Sequence, residues 1–297
     1  MYSKAIELSP LIKIWISAAR PRTLTTAFIP ILAATMLAMH ETKVQWELSL
    51  FALLSLICIQ IGTNLVNDAL DFKKGADTES RIGPKRVTQG GLLSVRQVLL
   101  GGMVALSLGL LFGIPLMLHG GVPIILLLIA SVICAYCYTG GPYPIAYIGL
   151  GELFVMLFYG FAAIPAVFYL QTGFISQSSI LAGIQTGFLS ALVLAMNNLR
   201  DRPEDAKANK KTLAVRFGAT FALCEVTFLA LAPFVLNLLW IGSDFTRVLI
   251  FPWLAFPLAV IIVVGVWRAT PGPIYNRYFL MSALLNLLFG LLLSAGF

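Results

Sequence analysis

Charged residues are scarce in this sequence. Only 11% of the 297 residues are Asp, Glu, Lys or Arg, whereas 59% are hydrophobic and the mean hydropathy is +0.91. An ordinary soluble domain has about 25% charged residues, and so few polar side chains cannot cover the outside of a soluble fold. The composition therefore excludes a soluble globular protein and predicts an integral membrane protein, with the lipid bilayer as solvent for most of the chain.

Cysteine and histidine are also few, with four and two residues. Cys134 and Cys137 form a C-x-x-C pair, but no second pair or nearby histidine completes a zinc site. We interpret the four cysteines, which all lie in apolar runs, as small buried hydrophobes. His40 and His119 fall at the membrane face opposite the acidic segments described below, and we interpret both as having no role in the functional site.

Apolar runs long enough to cross a bilayer as a helix, about 20 residues each, occur nine times. They predict an all-α, polytopic membrane protein that forms a single domain over residues 1–297. Only residues 119–121 separate the third run from the fourth, which predicts a tight antiparallel hairpin. The runs cover about 23–40, 47–68, 97–118, 120–138, 147–170, 176–199, 218–241, 247–267 and 277–296.

The net charge of +7 has a topological explanation. Basic residues lie in the short gaps between apolar runs, which is typical of membrane orientation and not of a nucleic-acid interface. With the N-terminus in the cytoplasm, only Lys43 and Arg247 of the 20 lysines and arginines fall on the opposite side. Basic residues resist translocation, so we expect a multi-pass protein of the inner (plasma) membrane with a cytoplasmic N-terminus. The oligomeric state stays open.

Acidic and amide side chains concentrate at the cytoplasmic ends of the second and sixth spans. The second span ends in four polar residues at the helical spacing i, i+3, i+4 and i+7, which places them on one face: Asn64, Asn67, Asp68 and Asp71. We call residues 64–77, which also include Asp77, the first acidic segment. The second acidic segment, residues 197–205, repeats the pattern with Asn197, Asp201 and Asp205. Pro203 predicts that regular helix ends or kinks near residues 199–202.

Two such segments suit a divalent metal ion. Clustered carboxylates repel one another and lose hydration near the membrane, so a cation must neutralise them. Carboxylate and carboxamide oxygens without His or Cys are ligands for Mg²⁺, which commonly bridges one or two carboxylates to a substrate phosphate. The sequence therefore predicts a Mg²⁺–diphosphate site built from both segments.

The two longest cytoplasmic loops, about 69–96 and 200–217, carry basic residues beside these carboxylates. Such side chains can neutralise phosphate oxygens, and loops of this size in a compact membrane protein are usually functional. We predict phosphate contacts for Arg81, Lys85 and Arg86 after the first segment, and for Lys210, Lys211 and Arg216 after the second. The family resemblance described below points to Lys211 and Arg216 of this second group. Solvated positive-inside loops would explain these cations, but not the adjacent carboxylates.

These motifs resemble the UbiA-type superfamily of intramembrane aromatic prenyltransferases. Its signature is an N-D-x-x-D element and a D-x-x-x-D element, matched here by Asn67-Asp68-x-x-Asp71 and Asp201-x-x-x-Asp205. Three further stretches are similar to the branch that acts on 1,4-dihydroxy-2-naphthoate in menaquinone biosynthesis: 75–89, 138–152, and 197–201 with 211–218. One departure is Ala208-Asn209-Lys210-Lys211, where relatives often carry a glycine before the lysine.

The resemblance implies a bundle of about nine helices and a function. It implies transfer of a polyprenyl group from its diphosphate to 1,4-dihydroxy-2-naphthoate, with loss of CO₂ and diphosphate, giving demethylmenaquinol. It also implies that the Mg²⁺–diphosphate is held by the asparagines and aspartates of the two acidic segments: Asn64, Asn67, Asp68, Asp71, Asp201 and Asp205, with Asp77 secondary. Asn197 is expected to contact substrate.

Aromatic and acidic residues near the fifth span are further candidates. Tyr138 and Tyr143 could stabilise an allylic cation through their ring faces. Glu152 lies about one turn inside the span, where an ionisable group is costly and is a functional candidate. It could position the acceptor hydroxyl or take a proton, or it could be a structural Glu hydrogen-bonded to the backbone or a neighbouring Tyr.

Several alternatives stay open from the residues alone. A secondary transporter would place its ligands near the membrane midplane, whereas these acidic residues lie at helix ends. An enzyme that joins alcohols to CDP-activated lipids also clusters aspartates, but its D-G and A-R elements are not found near Asp68 or Asp201. Within the prenyltransferases, the acceptor could instead be 1,4-dihydroxy-6-naphthoate, 4-hydroxybenzoate, homogentisate or a naphthoate that receives a phytyl group.

Overall fold

The computed structural model describes residues 9–78 and 81–297, with the backbone alone at positions 22 and 25. Lys4, which counts toward the orientation, and residues 79–80 of the loop motif lie outside these ranges. Every regular element within them is helical. The α-helices are α1 Pro10–Ala19, α2 Thr25–Ala38, α3 Trp46–Lys73, α4 Val95–Cys137, α5 Gly151–Val155, α6 Ala163–Thr172, α7 Gln177–Lys207, α8 Leu213–Leu236, α9 Thr246–Ile250, α10 Phe256–Arg268 and α11 Tyr275–Gly296. A π-helical segment, Met156–Ala162, joins α5 to α6, and 3₁₀ turns cover Pro21–Thr23, Ile145–Ile148, Asn237–Trp240 and Phe251–Ala255.

The helices account for all nine predicted spans. Seven helical stretches of the described chain are long and apolar enough to cross a membrane. The 43-residue α4 holds the third and fourth spans in one element, and the first span is the short, 14-residue α2. The all-α, multi-pass architecture is therefore confirmed. The amphipathic α1, which precedes the first span, was not predicted.

The α4 element reverses at Gly121, as the spacing predicted. Its φ of 65° and ψ of −154° lie in a region that favours glycine. A Cβ added at Gly113 would lie 2.7 Å from Leu128 Cδ1, although fifteen residues of continuous helix would separate them by about 22 Å. The two halves of α4 therefore pack against each other as an antiparallel hairpin.

The predicted end of regular helix near residues 199–202 is wrong. The α7 helix continues through Pro203 to Lys207. Proline removes one backbone hydrogen bond, but side chains hold both turns around it: Asp201 receives hydrogen bonds from Arg200, and Asp205 lies in ion-pair distance of Lys210. The second acidic segment is therefore helical throughout, and Asp201 and Asp205 share a face.

The α7 helix lies at the centre of the bundle and contacts α2, α5, α6, α8 and α11. Its approach to the π-helical segment depends on small residues, because Gly183 and Gly187 both face Gly160. A Cβ at Gly187 would lie 2.5 Å from Gly160 Cα and 3.0 Å from Met156 Sδ. This contact holds α7 beside α5, the helix that carries Glu152.

We predict that Gly187→Ala destabilises the protein, because the added methyl group meets backbone that cannot move aside. The expected loss is about 1–3 kcal/mol, measured as the free energy of unfolding in mixed micelles. Gly272→Ala is the matched control, since its added methyl group would have no heavy atom within 4 Å and its φ is ordinary. Equal stability of the two variants would contradict the close packing of α7.

Candidate active site

The C-terminal turns of α3 bury the first acidic segment. Asn64, Asn67, Asp68 and Asp71 are each at most 8% exposed, and Asp77 in the following loop is also buried. The Asn67 Oδ1 atom accepts hydrogen bonds from Arg20 at 3.1 Å and from Arg86 at 3.4 Å. The backbone N–H of Val87 donates to Asp68 Oδ2 at 3.3 Å. The loop after α3 therefore folds back over its own helix end.

The second acidic segment faces the first from α7. Asp201 and Asp205 are both 4% exposed. Asp201 accepts hydrogen bonds from both Nε and Nη2 of Arg200, at 2.6 and 2.8 Å. Arg200 also donates to Asn197 Oδ1 and to Asn276 of α11, and so ties α7 to α11 beside the carboxylates.

Two buried cations join the segments. Arg81 pairs with Asp77 of the first segment and donates to Asp201 Oδ2 of the second at 3.1 Å. The Lys210 Nζ atom lies 3.5 Å from both Asp71 Oδ2 and Asp205 Oδ1. The two segments, 120 or more residues apart in sequence, therefore converge on shared positive charges.

The electrostatics of this cluster combine burial with opposite charge. Burial alone would lower the pKa of Lys210, but the carboxylates of Asp71 and Asp205 outweigh it and raise that pKa above its ordinary value. Arg81 behaves in the same way, since Asp201 and Asp77 offset its burial and raise its pKa. Burial raises the pKa of Asp77 to about 6, although Arg81 opposes the shift. Both bridging cations stay charged.

A central cavity of about 550 Å³ begins at this cluster and extends into the membrane-spanning region. Its polar end is lined by one aspartate of each segment and by basic residues outside them: Asp68 and Asp201, with Arg20, Arg81, Arg86 and Lys210. Its other end is apolar and is lined by Ala52, Leu116, Ile124, Leu128, Val167 and Leu170. Along α3 the lining runs from Asp68 back to Ala52, which corresponds to about 24 Å of helix. The cavity therefore has one charged end and one hydrocarbon-like end.

Not every sequence-predicted site residue lies at this cavity. Tyr138, Lys85 and Asn197 line it together with Asn64, Asn67 and Asp68 of the first segment. In contrast, Asp71, Asp77, Asp205 and Glu152 are buried and do not line it. Tyr143 is 79% exposed, and the side chains of Lys211 and Arg216 are exposed at the surface. Those three residues are not brought to the cavity.

Further residues contribute to the site. Of the two neighbouring lysines, Lys210 is buried at the site and Lys211 is exposed. Asn209 before them adopts φ 55°, a left-handed conformation that suits glycine and is tolerated by asparagine. Arg20, assigned only to topology, lines the cavity and contacts Asn67. Tyr147 donates to Asp71 Oδ1 at 2.8 Å and carries Lys74 over its ring.

The available oxygen ligands fit a hard divalent ion whose coordination shell is completed by the substrate. Asp68 Oδ1 and Asp205 Oδ2 are buried without a hydrogen-bond partner among the described residues. Over the same part of the chain, no three His, Cys, Asp or Glu side chains group closely enough to hold an ion by themselves. Mg²⁺ is commonly bound by one or two carboxylates, with phosphate oxygens and waters filling the other positions. The unpartnered oxygens of Asp68, at the cavity wall, and of Asp205, buried nearby, fit this mode of Mg²⁺ binding.

Comparison with known proteins identifies the family. The UbiA prenyltransferase family matches residues 27–292. The chain belongs to this family. It is 33% identical to the 1,4-dihydroxy-2-naphthoate octaprenyltransferase of Haemophilus influenzae, over 96% of this chain and 97% of that protein. The Bacillus subtilis protein of the same name is 34% identical over 93% and 89% of the two chains.

Solved structures agree on the fold. A UbiA homologue from Archaeoglobus fulgidus bound to DMAPP and Mg²⁺ aligns with a TM-score of 0.61 at 18% identity, covering 95% of this chain and 99% of that one. The apo structure of a UbiA homologue from Aeropyrum pernix aligns with a TM-score of 0.67 at 14% identity, covering 92% and 96%. The family membership and the fold together establish a multi-pass prenyltransferase.

We predict that Asp68→Asn or Asp201→Asn leaves a folded protein with at least about 100-fold lower transferase turnover, because each change removes charge that a metal ion requires. Product formation and thermal unfolding in detergent measure the two effects. Asp244→Asn, at an exposed loop position before α9, is the control. Wild-type turnover in either variant would remove that residue from the metal site.

A second prediction separates two neighbouring lysines. Lys210→Met leaves Asp71 and Asp205 without their shared cation, and we expect turnover to fall about 100-fold. Lys211→Met makes the same substitution at an exposed lysine. The turnover of this variant should stay within about twofold of wild type, as for most surface changes. Steady-state kinetics of the two variants measure this difference. A larger loss of turnover in Lys211→Met than in Lys210→Met would contradict the placement of Lys210.

Proposed function

We propose that the chain transfers a polyprenyl group from polyprenyl diphosphate to 1,4-dihydroxy-2-naphthoate. The central cavity carries this proposal, because its charged end suits a diphosphate and its apolar end suits an isoprenoid tail in one continuous space. The names of the relatives that match nearly the full chain supply the acceptor. Loss of CO₂ and diphosphate would give demethylmenaquinol.

Residues from both acidic segments would hold the diphosphate. Asp68 and Asp201 line the cavity, one from each segment, and would hold Mg²⁺, with Asp71 and Asp205 behind them. Asn67 would support the site through its hydrogen bonds from Arg20 and Arg86. Bound Mg²⁺ would act as a Lewis acid that stabilises charge on the leaving oxygen. Arg81, Lys85 and Arg86 lie at the same end and would neutralise phosphate oxygens as that charge grows.

The apolar walls would protect the allylic cation after ionisation. The allylic C–O bond breaks with its electron pair leaving on the diphosphate, so water must be excluded until the acceptor attacks. Phe154, Phe158 and Tyr159 line the cavity, and an aromatic face stabilises a cation by about 0.5–2 kcal/mol. The ring carbon then forms the new C–C bond, and the bond to the carboxylate breaks to release CO₂ and restore the aromatic ring.

The orientation of the chain is part of the proposal. The N-terminus and the charged end of the cavity would face the cytoplasm, where water-soluble acceptor and released diphosphate exchange. The distribution of lysines and arginines supports this orientation. For a menaquinone-type pathway the membrane would be the inner (plasma) membrane.

The decisive experiment offers the purified protein one labelled prenyl diphosphate and several acceptors in parallel. We expect mass spectrometry to detect a decarboxylated prenyl product from 1,4-dihydroxy-2-naphthoate, with one diphosphate released per product. Parallel reactions contain 1,4-dihydroxy-6-naphthoate, 4-hydroxybenzoate or homogentisate. EDTA should abolish turnover, and added Mg²⁺ should restore it.

Each outcome of this experiment has a clear meaning. A product from another acceptor alone would reassign the substrate. Full turnover in EDTA would contradict the metal site. Uptake of the labelled compound into vesicles without release of diphosphate would support a transporter, since a transporter does not break the C–O bond.

A further inference from the structure

Glu152 is a buried carboxylate that the diphosphate site does not use. It lies at the start of α5 and is 6% exposed. No Lys, Arg or His among the described residues forms an ion pair with it. Its Oε2 atom is buried without a hydrogen-bond partner over the same part of the chain. Burial of an acidic group within a membrane-spanning helix costs free energy, which makes Glu152 a candidate for a function outside the metal cluster.

Its side-chain partner in the described part of the chain is an amide of the central cavity. Asn198 of α7, 5% exposed, lines the cavity and donates from Nδ2 to Glu152 Oε1 at 2.6 Å. Because the Nδ2 group of Asn198 faces Glu152 Oε1 as a donor, the Oδ1 atom of the same amide points away from Glu152. The Oδ1 atom of Asn198 is left without a donor among the described residues.

This orientation distinguishes Asn198 from two other asparagines that line the cavity. Asn67 Oδ1 accepts from Arg20 and Arg86, and Asn197 Oδ1 accepts from Arg200. Their carbonyl groups are therefore occupied by cations of the diphosphate site. Asn198 instead offers a carbonyl oxygen that can accept a hydrogen bond from a bound molecule.

An aromatic residue lies beside the Glu152–Asn198 pair. A Cβ added at Gly151 would lie 3.0 Å from Tyr138 Oη, so the phenol end of Tyr138 packs against the residue before Glu152. Tyr138 also lines the cavity. One wall of the cavity thus combines an aromatic side chain, an amide oxygen that accepts hydrogen bonds and a buried carboxyl group behind it.

We propose that this wall, formed by Tyr138, Asn198 and Glu152, is the subsite for the hydroxylated aromatic acceptor. Asn198 Oδ1 accepts a hydrogen bond from a ring hydroxyl, and Glu152 is a positioning residue that holds and polarises the amide. The inference rests on the proposed function and adds to it the group that recognises the acceptor.

The chemistry of the reaction favours this arrangement. As one ring carbon donates electrons to the allylic carbon, a hydroxyl conjugated with it on another ring carbon becomes electron-poor and a stronger hydrogen-bond donor. Its bond to Asn198 therefore strengthens in the transition state, which is the condition for faster catalysis. The hydrogen bond from Asn198 Nδ2 to Glu152 increases electron density on Oδ1, because linked hydrogen bonds polarise one another.

The test measures binding of acceptor analogues as well as turnover. Competitive inhibition constants are determined for 1-hydroxy-2-naphthoate and for 1-methoxy-2-naphthoate, which lacks the hydroxyl donor. In Asn198→Ala we expect about 10- to 100-fold weaker binding of the hydroxy compound and little change for the methoxy compound. The KM for prenyl diphosphate should change less than about threefold.

Further variants separate positioning from folding. Glu152→Gln can still accept from Asn198 Nδ2, so it should fold normally and show a smaller loss of hydroxyl discrimination than Glu152→Leu. Glu152→Leu and Asn198→Ala should be non-additive, because both act through one hydrogen bond. Glu225→Gln, a carboxyl group of α8 that does not line the cavity, is the control and should match wild type.

Three results would overturn the subsite. The first is equal weakening of both analogues in Asn198→Ala, and the second is a rise in the KM for prenyl diphosphate as large as that for the acceptor. The third is wild-type discrimination in Glu152→Leu. If the wild-type enzyme prenylates none of the acceptors, the proposed function fails and the subsite fails with it, whereas normal wild-type turnover confines failure to the subsite.

Discussion

The structure depends on the neutralisation of carboxylates that two distant parts of the chain bring together. Asp71 and Asp77 from one segment, and Asp201 and Asp205 from the other, are buried where their negative charges would repel. Arg81 and Lys210 each contact two carboxylates, one from the first segment and one from the second. Removal of one partner from a buried ion pair commonly costs about 3–5 kcal/mol, so these two cations hold the halves of the site in register.

The helices give the cavity two environments of different polarity. The charged end can stabilise a diphosphate, whereas the apolar end resembles the interior of the bilayer and accepts a hydrocarbon tail. A reaction that separates an anionic leaving group from an allylic cation requires both environments within a few ångströms. The close packing of Gly160 against Gly187 sets the distance between the helices that supply them.

Periodicity and composition allowed prediction of the features that repeat along the chain. Twenty-residue apolar runs predicted the spans, the gap at 119–121 predicted the hairpin, and helical spacing placed Asn64, Asp68 and Asp71 on one face. These are properties of a helix and of the bilayer, and they do not depend on distant contacts.

Features set by tertiary contacts could not be predicted in this way. Sequence spacing does not show that Lys210 points inward and Lys211 outward, because the turn at Asn209 decides it. Proline propensity gave the wrong end for α7, since ion pairs on both sides of Pro203 stabilise the helix. Arg20 resembled an ordinary positive-inside residue, and the partnership of Glu152 with Asn198 joins residues 46 positions apart.

The proposed mechanism requires both acidic segments to share the metal ions of one diphosphate. An experimental structure of the protein with Mg²⁺ and a non-hydrolysable prenyl thiodiphosphate would show whether they do. We expect metal ions at about 2.1 Å from carboxylate oxygens of both segments, with the thiodiphosphate between them and its tail in the apolar end of the cavity. Metal ions bound by one segment alone, or a diphosphate outside the cavity, would contradict the mechanism.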